Sequence, residues 1–529
     1  MRKNKLNTLL IVGAGALMFQ SCGVKQAEQA EAKKPNVLFI SVDDLNDWIG
    51  VMKEKGHPDA KTPNLDRLAK RGVYFTNTHC TSAACTPSRL SVMSGLSPIS
   101  TGCYTNKSGV RNWEVWNEVT LLPAYLRQNG YYTMASGKIE GAACHKIEPK
   151  YENQKMWDER MSRKYQLTDE VAKDGAGYGG IDFFPFPMGG SKIKNEKPQY
   201  KGHSLCAGAL DRDYIPGGKM PDELSTDWVV ERLARDYDKP FFLGLGLVRP
   251  HVPYTAPKEF FDMYPIDEIT IPEDPEGEMD DIPLYAKAIG FGAFEPGDER
   301  MVREMGPDYR KQLVQGYLAC ITFMDSQLGR VLDALDNSKY ADNTIIVLWS
   351  DHGQSMGEKR SWRKQCLWHE STSSPMVWVV PGMTDAGSLN NQPTSLMDIY
   401  PTVTDLCGLP AMKGIDAESM VPLLKDSEAK RDYPVLTTWS YGSHSLRGER
   451  WRYIRYFDGS EELYDGLNDF GEHHNLAGDP KYKEVIEGMK KFLPEEKYEP
   501  TEKNAEFQAY KKRAAGWKAN PKSMPVWLQ

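Results

Sequence analysis

Four runs along the chain are apolar without alternation: VLFISV (37–42), YYTMAS (131–136), PFFLGLGLV (240–248) and TIIVLWS (344–350). Unbroken β-branched and aromatic runs of this length fit strands buried on both faces of a parallel sheet. Each run gives way to polar residues: Asp43 and Asp44, Lys138, Arg249 and His251, Asp351 and His352. In an open α/β sheet the carboxyl ends of parallel strands share one edge, where ligands bind. The pattern therefore predicts four strands delivering acids and bases to one crevice.

Between these runs lie amphipathic stretches at helical spacing, PNLDRLAKRGV (63–73), LLPAYLRQNG (121–130) and the long segment 309–336. Alternating strand and helix predict a doubly wound, mostly parallel α/β sheet. Residues 148–220 and 264–308 are rich in Gly, Pro and charge with little periodicity, and read as long insertions over the sheet's edge. Past about residue 430 the pattern changes to short strands, PVLTTWS (434–440) and LRGERWRYIRYFDGSEELYD (446–465), with FDGS as a hairpin turn. A helix, KYKEVIEGMKKFL (481–493), and a basic, Trp-bearing tail follow. The expected organisation is a catalytic α/β domain over 35–430 and a smaller antiparallel-sheet-plus-helix domain over 431–529.

The start, MRKNKLNTLLIVGAGALMFQSCG, places Arg2, Lys3 and Lys5 before an apolar run too short to span a membrane. It resembles a bacterial lipoprotein leader over residues 1–22, ending at Cys22, although Phe19 and Gln20 depart from the usual small or aliphatic box. A polar tether over 23–34 follows. The expectation is an exported protein of the periplasm or cell envelope, lipid-anchored.

Composition narrows the picture little: 40% hydrophobic and 26% charged residues are ordinary, and a net charge of -8 offers no general basic surface to nucleic acid. Nine cysteines without CxxC spacing or clustered histidines argue against a zinc framework.

Two constellations carry chemistry. If the strands before them are neighbours, Asp43, Asp44 and Asp351 crowd three carboxylates together. Such a group needs a cation, and oxygen ligands favour calcium or magnesium, with His352 as a further ligand or an orienter; the alternative is that these aspartates cap turns or helices. In TSAACTPSRLSVMSG (81–95), Thr86 reads as an N-cap, Pro87 as the first helical residue and Gly95 as the stop. Cys85 then sits at a helix N-terminus with Arg89 one turn in, either an activated thiolate or a buried cysteine.

CTPSR also resembles the CxPxR signature of the type I sulfatases, whose cysteine is oxidised to formylglycine after synthesis. PNVLFISVDDL, TPNLDRLAKRGVYFTN, SGLSPISTG, the GK at 137–138, KPFFLGLGLVRPHVPY, SDHGQSMGEKRSWRKQCLWHES, SLMDIYPTVTDLCGLP and ELYDGLNDFGEHHNLA look like further blocks of that family in family order. Their flavour is that of bacterial proteins similar to iduronate-2-sulfatase. The resemblance implies an alkaline-phosphatase-like fold and one calcium ion held by Asp43, Asp44, Asp351, His352 and the formylglycine made from Cys85. One hydroxyl of the hydrated aldehyde would attack sulfur, and the second would later expel sulfate. It further implies that Arg89 orients the nucleophile, that Lys138 and Lys364 neutralise sulfate oxygens, and that His251 protonates the leaving alcohol. The family usually has a histidine two or three residues beyond the lysine at 138; here Glu140 and Gly141 stand there, and His145 is the nearest substitute.

The implied function is hydrolysis of a sulfate ester on a polysaccharide or oligosaccharide, after maturation by a formylglycine-generating enzyme. His203, Arg212, Arg249, His444 and Arg447 are weaker candidates for gripping the sugar. Two other readings remain: a phosphodiesterase or phosphonate hydrolase of the same superfamily, and a surface lipoprotein that binds glycans without catalysis.

Overall fold

The computed structural model describes residues 34–161, 205–292, 297–499 and 505–529. The leader, most of the tether and His203 lie outside them. Among the described residues, eight strands make the main sheet: β1 (Asn36–Val42), β2 (Val73–Phe75), β3 (Tyr132–Gly137), β4 (Glu159–Arg160), β5 (Phe241–Leu247), β6 (Thr344–Ser350), β7 (Met376–Val379) and β8 (Ser388–Asn390). Their spatial order is β8-β2-β7-β6-β1-β5-β3-β4. Only β7 runs against the rest, antiparallel to both β6 and β2, so the sheet is mostly parallel, as the unbroken apolar runs predict.

β1 lies between β5 and β6, and every one of its residues is buried. Its side chains alternate between two cores. Leu38, Ile40 and Val42 join the cluster that contains Leu313, Leu318 and Leu328 of helix Pro307–Asp336. Val37 and Phe39 join the cluster that contains Leu90 and Val92 of helix Cys85–Ser94. Each such apolar side chain withdrawn from water contributes about 1.5–3 kcal/mol, and this two-sided burial fixes the strand's register.

A second, four-stranded antiparallel sheet follows: β9 (Val435–Thr438), β10 (His444–Arg447), β11 (Trp451–Arg455) and β12 (Glu461–Asp465), paired in chain order. Helix Lys483–Lys490 covers it, with Ile486 in a core of Leu446, Tyr453 and Leu463. Residues 35–529 form one compact unit. Among the described residues, no helix is long and apolar enough to cross a membrane.

The sequence reading named none of β2, β4, β7 and β8, and the helix expected over 63–73 ends at Ala69, with Val73 opening β2. Two further segments also differ. The stretch 264–308, expected to be irregular, holds helices Leu284–Gly290 and Asp298–Met305. The basic tail folds into helix Ala505–Ala519, with Phe507, Tyr510 and Trp517 buried. All eight described cysteines are buried and none forms a disulfide.

Candidate active site

β1 and β6 are paired in register with Val42 opposite Ser350, so Asp43 and Asp351 leave the sheet side by side. The chain turns at once: Asp44 takes a left-handed backbone with φ of 63°, which costs an L-residue roughly 1–2 kcal/mol. Two hydrogen bonds hold that turn. The Asp44 amide donates to Asp351 Oδ1 (3.2 Å), and the Tyr317 hydroxyl donates to the Asp44 carbonyl (2.7 Å). The side chains of Asp43, Asp44, Asp351 and His352 are fully buried.

Cys85 arrives on the other constellation. The helix is capped not by Thr86 but by Ala84 in extended conformation, without a side-chain cap, and Cys85 is its first residue. Thr86 lies inside the first turn, where its own amide donates to Asn106 Oδ1 (2.9 Å). Pro87 costs no hydrogen bond in a first turn. Gly95, with φ of 68°, closes the helix by donating to Ser91 O (2.7 Å).

One turn in, Arg89 is wholly buried and donates to five acceptors. Nε bonds Asp351 Oδ2 (2.8 Å) and Nη2 bonds Asp43 Oδ1 (3.3 Å). Nη1 is shared among Ser41 Oγ (3.1 Å), Lys138 O (2.5 Å) and Ile139 O (2.9 Å). One guanidinium thus ties together the ends of β1, β3 and β6. Cys85 Sγ lies 3.3 Å from His352 Nε2.

Two lysines complete the charge balance. Lys138 Nζ lies 2.5 Å from Asp43 Oδ2, and Lys364 Nζ lies 2.5 and 2.7 Å from the two oxygens of Asp44. His251 Nε2 stands 3.8 Å from Asp44 Oδ2 and 4.0 Å from Asp43 Oδ2, while Nδ1 faces the Val252 carbonyl at 2.6 Å. Three buried carboxylates therefore meet three cations, without which their burial would be prohibitive.

The titrations follow from that packing. Burial pushes Asp43 up, but Lys138 ahead of His251, Arg89 and Lys364 pulls it well below the usual carboxylate range. Asp44 is raised by burial, against the pull of Lys364. Burial, reinforced by the Asp43 carboxylate, pushes the Cys85 thiol up, so the unmodified side chain is a thiol at neutral pH rather than the activated thiolate that its helix position allows. His251 is lowered by burial and by Lys364.

The donor set fits a hard cation. Asp43, Cys85, Asp351 and His352 place ligand atoms within 4.8 Å of one another, as do Asp43, Asp44, Cys85 and His251. His352 Nε2 is 3.5 Å from both Asp44 Oδ1 and Asp351 Oδ2. Adjacent ligands at right angles around an ion with bonds of about 2.4 Å would be about 3.4 Å apart. His352 Nδ1 lies 2.9 Å from the Gly353 carbonyl, an acceptor, so Nδ1 carries the proton and Nε2 offers its lone pair.

The remaining candidates make other contacts. His145, on helix Cys144–Ile147, has Nε2 3.4 Å from the buried Glu140 carboxylate, which also pairs with Arg160 at 3.1 Å. Arg212 is held by Glu223 and Glu259, and His444 by Glu496. Arg249 donates to Thr255 and to the His251 carbonyl, and Arg447 donates to Asn77. These four are engaged in ion pairs and backbone bonds within the fold. Sequence reasoning missed Tyr317, Ser88, which donates to the Asp351 carbonyl (2.5 Å), and Asp222, which receives the amides of Val248 and Arg249 (2.9 Å each) ahead of His251.

Comparison with known proteins adds a family. A model described as Sulfatase matches residues 35–409, and one described as N-sulphoglucosamine sulphohydrolase, C-terminal, matches residues 357–499. A sulfatase of Formosa agariphila is 37% identical over 518 residues, 96% of this chain and 95% of the relative. Iduronate 2-sulfatase of Mus musculus is 30% identical over 411 residues, 71% of this chain and 69% of the relative. A solved structure of a protein in complex with its substrate D-glucosamine-2-N, 6-O-disulfate superposes with a TM-score of 0.64 at 19% identity, covering 93% of this chain and all of that one.

Proposed function

Because this chain belongs to the sulfatase family and is a sulfuric ester hydrolase, we propose that it removes sulfate from a sulfated carbohydrate, using Cys85 matured to formylglycine and one calcium ion. The observation that carries this reading is the meeting of three buried carboxylates, two imidazoles, two lysines and an arginine around Cys85.

Asp43, Asp44, Asp351 and His352 would hold the ion, which supplies positive charge for a sulfate oxygen and for the nucleophile. The matured residue 85 supplies the attacking hydroxyl. Arg89 fixes the strand ends that carry the ligands. Lys138 and Lys364 face the sulfate oxygens, where preorganised charge in a buried site favours the transition state over the ground state. His251 keeps its Nδ1 proton on the Val252 carbonyl, so Nε2 is the atom that exchanges a proton with the leaving sugar oxygen.

The carbohydrate class rests on family membership and on the disulfated glucosamine bound by the structural neighbour. The leader over 1–22, with lipidation at Cys22, would place the enzyme in the cell envelope, where such polysaccharides are met. Residues 35–430 would carry the catalytic groups, with 431–529 as a subdomain beside them.

The test is peptide mass spectrometry across residue 85 in protein from a host with the maturing enzyme, together with sulfate release from sulfated saccharides. An aldehyde mass at 85, sulfate release, and loss of at least 10³-fold in turnover for Cys85→Ala are expected. An unmodified cysteine in active protein, or faster turnover of an aryl phosphodiester than of any sulfate ester, would overturn the proposal.

A further inference from the structure

Lys364 stands in an unusual piece of backbone. Lys359 (φ 48°), Arg360 (57°), Arg363 (70°) and Gln365 (82°) all adopt left-handed conformations without being glycine. Lys364 is thus flanked on both sides by residues in a region that L-amino acids avoid, and such a segment persists only when its surroundings over-determine it. The short pairing of Ser355–Met356 with Trp362–Arg363 ties the segment to itself but does not reach Lys364.

Two acids in the first turn of helix Asp298–Met305 supply outside anchors. Arg363 Nη2 donates to Asp298 Oδ1 (3.1 Å), and its Nε lies 2.8 Å from Asp298 Oδ2. The Trp362 indole donates to Glu299 Oε2 (2.7 Å), and Glu299 is itself buried, with Arg303 Nε 2.5 Å from its other oxygen. At the segment's far end Lys359 donates to the Glu472 carbonyl. The two residues immediately before Lys364 are therefore gripped by consecutive side chains of a helix inside the insertion 264–308, whose described residues include none of those clustered around Cys85.

We infer that Asp298 and Glu299 are positioning residues, a clamp on Arg363 and Trp362 that holds the Lys364 ammonium over Asp44. The inference rests on the reading of Lys364 as a sulfate-facing group. It also gives the insertion a role: substitution there changes turnover through Lys364 without touching the reacting atoms.

The experiment uses the full-length matured protein with 4-methylumbelliferyl sulfate as substrate, and reads hydrogen exchange in peptides covering 357–366 in parallel. Asp298→Ala and Glu299→Ala should each raise exchange in that segment at least tenfold and leave helix 85–94 unchanged. Glu299→Gln, whose amide oxygen still accepts from Trp362, should stay near wild type. Asp298→Ala should lower kcat/KM tenfold or more when Lys364 is present and less than threefold in a Lys364→Ala background. Unchanged exchange, or equal losses in both backgrounds, overturns the clamp. Full turnover by Lys364→Ala alone contradicts the sulfate role given to that lysine, and the exchange measurement then decides the clamp by itself.

Discussion

Arg89 shows how much one side chain carries here. Its guanidinium, fully buried, meets two carboxylates, a hydroxyl and two carbonyls. A lysine has the charge but not the planar fork, and cannot satisfy all five acceptors from one ammonium. Arg89→Lys is expected to lower turnover at least 10²-fold and unfolding free energy by about 3 kcal/mol, since it strands buried carboxylates. Steady-state kinetics and urea unfolding check this, and near-wild-type values in both would contradict it. Cys85 and Arg89 were legible through the resemblance of CTPSR to a CxPxR signature, where the helix start alone left a buried cysteine open, and Asp43, Asp44 and Asp351 because they follow unbroken apolar runs. Tyr317 was not. A tyrosine on the apolar face of a long helix reads as core, and only the fold reveals that its hydroxyl bridges the Asp44 carbonyl and the Asn46 amide.

At the scale of elements, β1, β3, β5 and β6 were legible within a residue or so, because burial on both faces leaves an uninterrupted apolar signature, whereas β2, β4, β7 and β8, of two to four residues each, are too short to leave one. Helix caps were harder, since the first amides of a helix can be met by partners distant in sequence. Helix Pro63–Ala69 illustrates this: Asp325, in the middle of helix Pro307–Asp336, accepts from the amides of Asn64 (3.0 Å) and Leu65 (2.7 Å). Burial raises Asp325 to about 6 in spite of those amides, against about 3.9 in an unfolded chain. Between those values the folded protein keeps a proton that the unfolded chain has released. The stability contributed is complete below about pH 4 and is lost as pH rises through about 6. The urea midpoint of Asp325→Asn should therefore fall less between pH 4.5 and 7 than that of wild type. Parallel pH profiles for the two proteins would contradict the assignment. Helices Leu284–Gly290 and Asp298–Met305 escaped notice because each spans two turns or little more, the first between Pro283 and Gly290 and the second between Gly297 and Gly306, too short for a helical period to emerge.

For the whole molecule, the two sheets are joined through buried charge. Arg452 of β11 pairs with Glu472, whose Oε2 receives the His369 amide (2.9 Å) and whose carbonyl receives Lys359. The segment bearing Lys364 is therefore tied to the antiparallel sheet at one end and to the 264–308 insertion at the other. The composition could not foretell this arrangement, because Arg452 and Lys359 look like surface residues until the sheets meet. The change of pattern near residue 430 marked the second sheet but not what it grips. All of these ties converge on one claim, that the rim holds a cation and a matured residue 85 against a sulfate ester. Sulfate release by the host-matured protein, measured after exhaustive dialysis against a chelator and again after calcium is restored, tests that claim most directly. The account predicts a loss of at least 10²-fold that calcium reverses and that Asp351→Asn makes permanent; undiminished release from metal-stripped protein would contradict it.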